Sequence, residues 1–131
     1  MIGLIQRVSE ARVEVAGEPV GAIGTGLLAL VGVVPTDTEA NASRLAERLL
    51  GYRVFEDSSG RMNLSVRDIG GGVLAVPQFT LAADTRKGTR PSFSGAAAPA
   101  QAEALYEALL RALGQSGLAI GRGRFGADMQ V

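Results

Sequence analysis

Residues 72–81 form the stretch Gly72-Val73-Leu74-Ala75-Val76-Pro77-Gln78-Phe79-Thr80-Leu81, which passes from an unbroken apolar run to a polar end. Such a run is typical of a buried strand. Its polar end brings an amide, an aromatic ring and a hydroxyl together. The stretch therefore predicts a buried strand whose end offers functional groups, although a polar strand end before a solvated loop is a common structural alternative.

A basic loop follows this strand and holds Arg86, Lys87 and Arg90. Guanidinium and ammonium groups bind phosphate, and aromatic rings stack on bases. Next to the amide and the ring of the preceding stretch, these cations favour a site for an anionic ligand that contains a base. Ordinary solubilising charge is the alternative, because the formal net charge of the whole chain is zero.

Length and composition indicate one folded domain over residues 1–131. Apolar residues make up 47% of the chain and charged residues 20%, so the composition is not that of a disordered protein. No apolar run approaches the roughly 20 residues that a membrane-spanning helix needs. The N-terminus lacks the basic start and long apolar centre of a signal peptide. We therefore expect a soluble, cytoplasmic protein.

The chain contains no cysteine and no histidine. Disulfides, thiolate or histidine metal sites, cysteine nucleophiles and Ser-His-Asp triads are therefore excluded. Catalysis must rely on Thr, Ser, Lys, carboxylates, backbone amides or groups of the substrate itself. We expect neither a metal nor another cofactor.

The apolar patterns predict short strands and two helices. Leu27–Val34 is an unbroken apolar run typical of a central strand. Helical spacing of apolar residues predicts one helix after the N-cap candidates Thr36, Asp37 and Thr38, ending at Leu50 or Gly51, and another from Pro99 to Gly114. Further strands are predicted at Leu4–Val8, Ala11–Val15, Pro19–Ile23, Tyr52–Phe55, Met62–Val66, Leu118–Ile120 and Ala127–Val131. This order predicts an α+β fold with a mainly antiparallel, curved, barrel-like sheet and two outer helices.

At this point a set of motifs resembles the D-aminoacyl-tRNA deacylase family. They occur in the family's order and spacing along the whole chain, which makes the resemblance specific. The matching segments are LIQRVS (4–9), FEDSSGRMNL (55–64), QFTL (78–81), ADTRKG (83–88), RPSF (90–93) and GRFGADMQV (123–131). The resemblance implies a homodimer that hydrolyses the ester between a D-amino acid, or glycine, and the 3′ end of tRNA.

The resemblance also implies which residues form the site. The family motif Ser-Gln-Phe-Thr lies in its active site and corresponds here to residues 77–80, so that Gln78, Phe79 and Thr80 are candidate catalytic residues. Arg7 matches a residue that braces a Gly-Pro segment of the other subunit. Phe125 and Met129 match positions that line the pocket around the terminal adenosine and the amino acid.

Two positions depart from the family pattern. Pro77 stands in place of the serine and therefore lacks both a hydroxyl and a backbone N–H. The Gly-Pro segment, which rejects L-amino acids in the family, follows the last strand of family members and does not occur in this chain. The sequence leaves three interpretations open: a truncated chain, final residues missing from the sequence, or a protein without the chiral gate.

For the mechanism we expect oxyanion stabilisation by the backbone N–H groups of Phe79 and Thr80. Gln78 would position the aminoacyl group, the ribose hydroxyl of the substrate would help to activate water, and the basic loop would hold acceptor-end phosphates. The rival mechanism makes Thr80 a nucleophile, although a threonine needs an adjacent base.

Three other functions remain open. They are a deacylase with altered selectivity for a mischarged L-amino acid, a catalytically silent aminoacyl-tRNA-binding module, and a purely structural protein. Among partners we expect the aminoacyl-tRNA acceptor end and a second copy of the chain, but neither a membrane nor DNA.

Overall fold

The computed structural model describes residues 1–131, and its centre is a sheet of four strands in the order β1-β4-β7-β8. The strands are β1 (Ile2–Val8), β2 (Ala11–Val15), β3 (Glu18–Ile23), β4 (Gly26–Gly32), β5 (Phe55–Glu56), β6 (Met62–Leu64), β7 (Gly72–Pro77), β8 (Ile120–Arg122) and β9 (Met129–Gln130). The helices are α1 (Glu39–Gly51) and α2 (Pro99–Gly114), and the 3-10 turn is Phe79–Ala82.

The central sheet is mixed rather than mainly antiparallel. Strand β1 is antiparallel to β4, whereas β7 runs parallel to both β4 and β8. Parallel neighbours require long crossover connections, and here each crossover contains a helix, α1 before β7 and α2 after it. The expectation of a mainly antiparallel sheet is therefore wrong for this sheet, although the predicted α+β class with two helices is confirmed.

The other strands form two smaller sheets, β3-β2-β9 and β5-β6. The strands do not close into a single hydrogen-bonded barrel. The β3-β2-β9 sheet instead packs against the central sheet through a small apolar cluster, Val13, Ile23, Leu74 and Val76. This arrangement brings β9, at the end of the chain, close to the polar end of β7.

Both helices pack on one face of the central sheet and form the main core. Leu27 and Val73 of the central strands are fully buried there, together with Leu49 of α1 and Leu109 of α2. Burial of a large aliphatic side chain contributes about 1.5–3 kcal/mol. The amphipathic pattern of each helix placed its apolar side correctly, and both predicted helix ends are confirmed.

Helix α1 starts after Thr38, one of the three predicted N-cap residues. The Thr38 N–H donates to the side-chain oxygen of Asn41 at 2.8 Å. Asp37 does not cap the helix. Its carboxylate instead accepts the Met1 ammonium at 2.6 Å and the Val34 N–H at 2.8 Å, so it ties the chain start to the loop after β4.

Several strands begin or end elsewhere than predicted. The strand expected at Tyr52–Phe55 comprises only Phe55–Glu56, and that expected at Leu118–Ile120 lies at Ile120–Arg122. Strand β7 ends at Pro77, and Gln78 donates one last backbone hydrogen bond to Val31 at 2.7 Å. Hydrogen bonding to neighbouring strands decides where a strand begins and ends, and a run of apolar residues in the sequence does not reveal those hydrogen bonds.

None of the helices combines the length and apolar character that crossing a bilayer requires.

Candidate active site

A cavity of about 630 Å³ lies at the polar end of β7. Three parts of the chain form it: the end of β7, the segment that leads into α2, and the loop before β9. Among the sequence-predicted site residues, Gln78, Phe79, Phe125 and Met129 line it together. The other lining residues are Val76, Pro77, Phe93, Ala96, Ala97, Pro99, Ala102, Gly126, Ala127, Asp128 and Val131.

The candidate catalytic segment is a 3-10 turn and not a continuation of the strand. The first N–H groups of such a turn, here those of Phe79 and Thr80, have no acceptor within it. The next N–H, of Leu81, donates to the Gln78 carbonyl at 3.2 Å. The turn therefore presents two consecutive backbone donors at the end of β7.

The side chains of Gln78 and Thr80 are hydrogen-bonded to each other. The Gln78 amide nitrogen donates to the Thr80 hydroxyl oxygen. Gln78 lines the cavity, whereas Thr80 does not. No lysine, histidine or carboxylate shares a hydrogen bond with the Thr80 hydroxyl, so the structure provides no base next to it. An adjacent base is what a threonine nucleophile needs.

An aromatic pair stands at the mouth of the cavity. The Phe79 ring is 58% exposed and meets the ring of Phe93 edge-on, with centroids 5.1 Å apart. Edge-to-face pairs of this kind are favourable aromatic contacts. Phe93 belongs to the RPSF motif, but the sequence alone assigned it no role, because nothing local shows that residue 93 folds back onto residue 79.

The opposite wall carries Phe125 and Met129. The loop between β8 and β9 begins at Gly123, whose N–H donates to the Ala75 carbonyl of β7 at 3.1 Å. The Arg124 N–H points to the Met129 sulfur at 3.3 Å. A Cβ on Gly123 would lie 2.8 Å from that sulfur, so a side chain at this position would displace the Met129 side chain that forms the wall.

The basic residues lie on a separate loop, residues 84–92, which we call the strap. Backbone hydrogen bonds between Asp84 and Ser92, at 2.6 and 2.8 Å, close its base. The Arg86 guanidinium binds the Asp84 carboxylate through two contacts of 2.8 and 3.0 Å. This pairing lowers the pKa of Asp84 and raises the pKa of Arg86.

The other two cations of the strap, Lys87 and Arg90, are exposed and make no ion pair. None of the three basic residues lines the cavity. The predicted basic cluster is therefore divided: Arg86 stabilises the strap through Asp84, and Lys87 and Arg90 remain free to meet an external anion.

Arg7 lies on β1 and points elsewhere. One of its guanidinium nitrogens donates to the Val54 carbonyl at 3.0 Å, and Arg7 does not line the cavity. Within a single chain it therefore braces the segment between α1 and β5, and its predicted role toward a second subunit stays a prediction.

Known proteins resemble this chain over its full length. The model of the D-Tyr-tRNA(Tyr) deacylase family matches residues 4–131. A D-aminoacyl-tRNA deacylase of Alkalilimnicola ehrlichii is 66% identical over 131 residues, all of this chain and 87% of that protein. The protein of the same name from Azotobacter vinelandii is 60% identical over all of this chain and 90% of its own length.

Two solved structures share the fold. A c-Myc DNA unwinding element binding protein superposes with a TM-score of 0.90 at 39% identity, covering 98% of this chain and 87% of that one. A probable eukaryotic D-amino acid tRNA deacylase superposes with a TM-score of 0.81 at 16% identity, covering 98% and 91%. The second likeness concerns the fold alone. Family match, sequence identity and fold agree, and the chain belongs to the D-Tyr-tRNA(Tyr) deacylase family, whose members are hydrolases.

Proposed function

We propose that the protein hydrolyses the ester bond of D-aminoacyl-tRNA in the cytoplasm, releasing the D-amino acid and tRNA as a proofreading step of translation. Glycine mischarged on the tRNA for alanine is the second substrate we propose. The observation that carries the proposal is that Gln78 and Phe79, which match the family motif, line the same cavity as Phe125 and Met129. Membership of a deacylase family supports the same reaction.

The chemical step takes place at the 3-10 turn. The Phe79 and Thr80 N–H groups stabilise the oxyanion that develops as water attacks the ester carbonyl. A single such donor is typically worth about 10²–10³ in rate. The Gln78 side chain orients the aminoacyl group, and its hydrogen bond to Thr80 holds that amide in one rotamer. The neighbouring hydroxyl of the substrate ribose helps to activate the water.

The walls of the cavity bind the end of the tRNA. Phe125 and Met129 form an apolar surface for the terminal adenosine and the amino acid, as aromatic and thioether groups suit the face of a base. Lys87 and Arg90 hold phosphates of the acceptor end outside the cavity.

We also propose that two copies associate through β1. This strand is an outer edge of the central sheet, so one side of its backbone has no strand partner. Ile2 and Leu4 on it are 37% and 56% exposed, and Arg7 is its only charged residue. A seven-residue edge of this kind favours pairing with another chain. Arg7 would then lie where a partner subunit can reach it.

Hydrolysis of three charged tRNAs tests the function. D-Tyr-tRNA and Gly-tRNA are expected to be cleaved, and L-Ala-tRNA much more slowly. Faster cleavage of L-Ala-tRNA would instead support altered selectivity, for which Pro77 in the cavity wall is the structural reason. Binding of all three without turnover would support a silent tRNA-binding module and contradict hydrolysis.

The Thr80→Ala variant separates the two mechanisms. We expect the rate of hydrolysis to fall about tenfold or less, because the substitution removes only the hydroxyl partner of Gln78. A hydrogen bond of this kind is worth about 0.5–1.5 kcal/mol. Complete loss of turnover in a folded variant would identify Thr80 as the nucleophile. Single-turnover kinetics with D-Tyr-tRNA measures the rate of wild type and variant, and circular dichroism shows whether the variant is folded.

A substrate ending in 2′-deoxyadenosine tests the assistance by the ribose hydroxyl. If that hydroxyl activates water, the deoxy substrate is cleaved far more slowly although it binds equally well. Normal cleavage of the deoxy substrate would exclude substrate assistance.

A further inference from the structure

Tyr106 of α2 is a buried side chain whose hydroxyl joins two parts of the active site. Only 1% of the residue is exposed. Its hydroxyl donates to the Ala75 carbonyl at 2.7 Å and accepts the Gly123 N–H at 3.1 Å. Burial raises the pKa of the Tyr106 phenol, which keeps the donating proton in place at neutral pH.

The two partners of this hydroxyl do not line the cavity themselves, but each is followed along the chain by residues that do. Ala75 precedes the end of β7, from which Pro77 and Gln78 enter the cavity. Gly123 begins the loop that carries Phe125, and the Phe125 ring lies 6.5 Å from the Tyr106 ring. The Tyr106 hydroxyl itself does not line the cavity, so it acts on a ligand only through these neighbours.

The contact between these walls leaves little room for adjustment. A Cβ on Gly123 would approach Pro77 to 3.2 Å as well as Met129. On the outer side, the Arg122 guanidinium lies 5.8 Å from the centre of the Tyr106 ring and forms an ion pair with Glu107. Arg122 thus contacts the ring on its outer side, while the hydroxyl is hydrogen-bonded to both Ala75 and Gly123.

We propose that Tyr106 is a positioning residue for substrate binding: its hydroxyl sets the separation between the Gln78–Phe79 turn and the Phe125–Met129 wall. The inference rests on the proposed function, since it names what fixes the width of that same pocket. It predicts an effect on binding of the adenosine end rather than on the chemical step, because the N–H groups of the turn are untouched.

Replacing Tyr106 by phenylalanine tests this role. The ring remains, and Gly123 keeps the Ala75 carbonyl as an acceptor at 3.1 Å, so Tyr106→Phe is expected to fold. We expect KM for D-Tyr-tRNA to rise about three- to tenfold, the worth of one buried hydrogen bond, with kcat changed less than about twofold.

Tyr52→Phe is the matched control, because it removes the only other phenolic hydroxyl of the chain. Tyr52 is 43% exposed and lies outside the cavity; its oxygen accepts only from Arg48. This control should leave KM unchanged. A purely structural role of Tyr106 would lower the melting temperature and leave the KM of the folded variant at the wild-type value, which would overturn the proposal.

A second measurement separates this proposal from the proposed function. The probe is the non-hydrolysable amide 3′-deoxy-3′-(D-tyrosylamino)adenosine, with Kd measured by calorimetry. If wild-type protein binds the probe but hydrolyses nothing, hydrolysis is wrong, and a weaker Kd in Tyr106→Phe still supports the positioning role. If wild-type protein hydrolyses D-Tyr-tRNA and Tyr106→Phe binds the probe as tightly as wild type, the positioning role is overturned although the proposed function stands. Absence of probe binding in wild-type protein would overturn both.

Discussion

At the scale of single residues, charge pairing distinguishes three cations that look alike in the sequence. Arg86, Lys87 and Arg90 lie within five positions of one another. Only Arg86 has a carboxylate partner, Asp84, which already satisfies its planar fork. A phosphate would have to compete with that carboxylate for Arg86, whereas Lys87 and Arg90 are accessible.

Salt dependence tests this division. Lys87→Ala and Arg90→Ala should each weaken tRNA binding and lower the slope of log KM against log salt, because each phosphate contact contributes about 0.7–0.9 to that slope. The kcat at saturating tRNA should stay near wild type. The measurement is steady-state kinetics with D-Tyr-tRNA across a series of salt concentrations.

Arg111→Ala provides the control for these two variants. It removes one exposed arginine in the last turn of α2, and Arg111 does not line the cavity. An equal loss of slope in Arg111→Ala would show that general charge rather than the strap binds the tRNA, and an unchanged slope in Lys87→Ala and Arg90→Ala would exclude the strap as the phosphate site.

At the scale of elements, the close approach of β4 and β7 decides how the sheet forms. Gly26 and Gly72 face each other at the start of this parallel pair. A Cβ on Gly26 would lie 1.9 Å from the Gly72 carbonyl oxygen. That oxygen belongs to backbone, so relief requires the two strands to separate. Such a requirement cannot be read from Gly24-Thr25-Gly26, which has the composition of an ordinary turn.

Gly26→Ala should therefore destabilise the fold strongly. We expect the free energy of unfolding to fall by about 3 kcal/mol or more, because overpacking against backbone cannot relax by a change of rotamer. Gly24→Ala is the control: a Cβ there meets nothing within 4 Å, so the expected change is below about 1 kcal/mol. Urea unfolding followed by circular dichroism measures both, and equal midpoints would contradict the close approach.

At the scale of the whole molecule, the unpaired edge of β1 is the main exposed backbone surface of the central sheet. The opposite edge strand, β8, has only three residues, whereas β1 has seven. Natural proteins commonly protect long edges with charge or proline, and β1 carries neither apart from Arg7 near its end. A second copy paired along β1 would cover Leu4.

Leu4→Lys tests the proposed dimer. A lysine at the centre of the edge would place two like charges near each other across a symmetric interface, so the variant is expected to be monomeric and less active. Ala104→Lys puts the same charge on an exposed position of α2 and should stay dimeric. Light scattering coupled to size exclusion measures both masses. A monomeric wild type, or a dimeric Leu4→Lys variant, would contradict the proposed interface.

The sequence by itself determined the two helices, the central strands β4 and β7, and the identity of the motif residues Gln78 and Phe79. The helices and strands follow from periodicity and from unbroken apolar runs, which depend on neighbours along the chain, whereas the motif residues follow from the resemblance to the deacylase family. The absence of histidine and cysteine likewise restricts catalysis to Thr, Ser, Lys, carboxylates, backbone amides or groups of the substrate.

Only the tertiary structure decided how strands and site residues meet. The parallel pairing of β4, β7 and β8 arises because helices cross over between them, and local pattern does not encode strand direction. The 3-10 turn at Phe79, the return of Phe93 onto it and the Asp84 partner of Arg86 depend on contacts that sequence periodicity does not record. In the sequence, Tyr106 occupies an ordinary position on the apolar side of a helix. Only the fold brings its hydroxyl between Ala75 and Gly123.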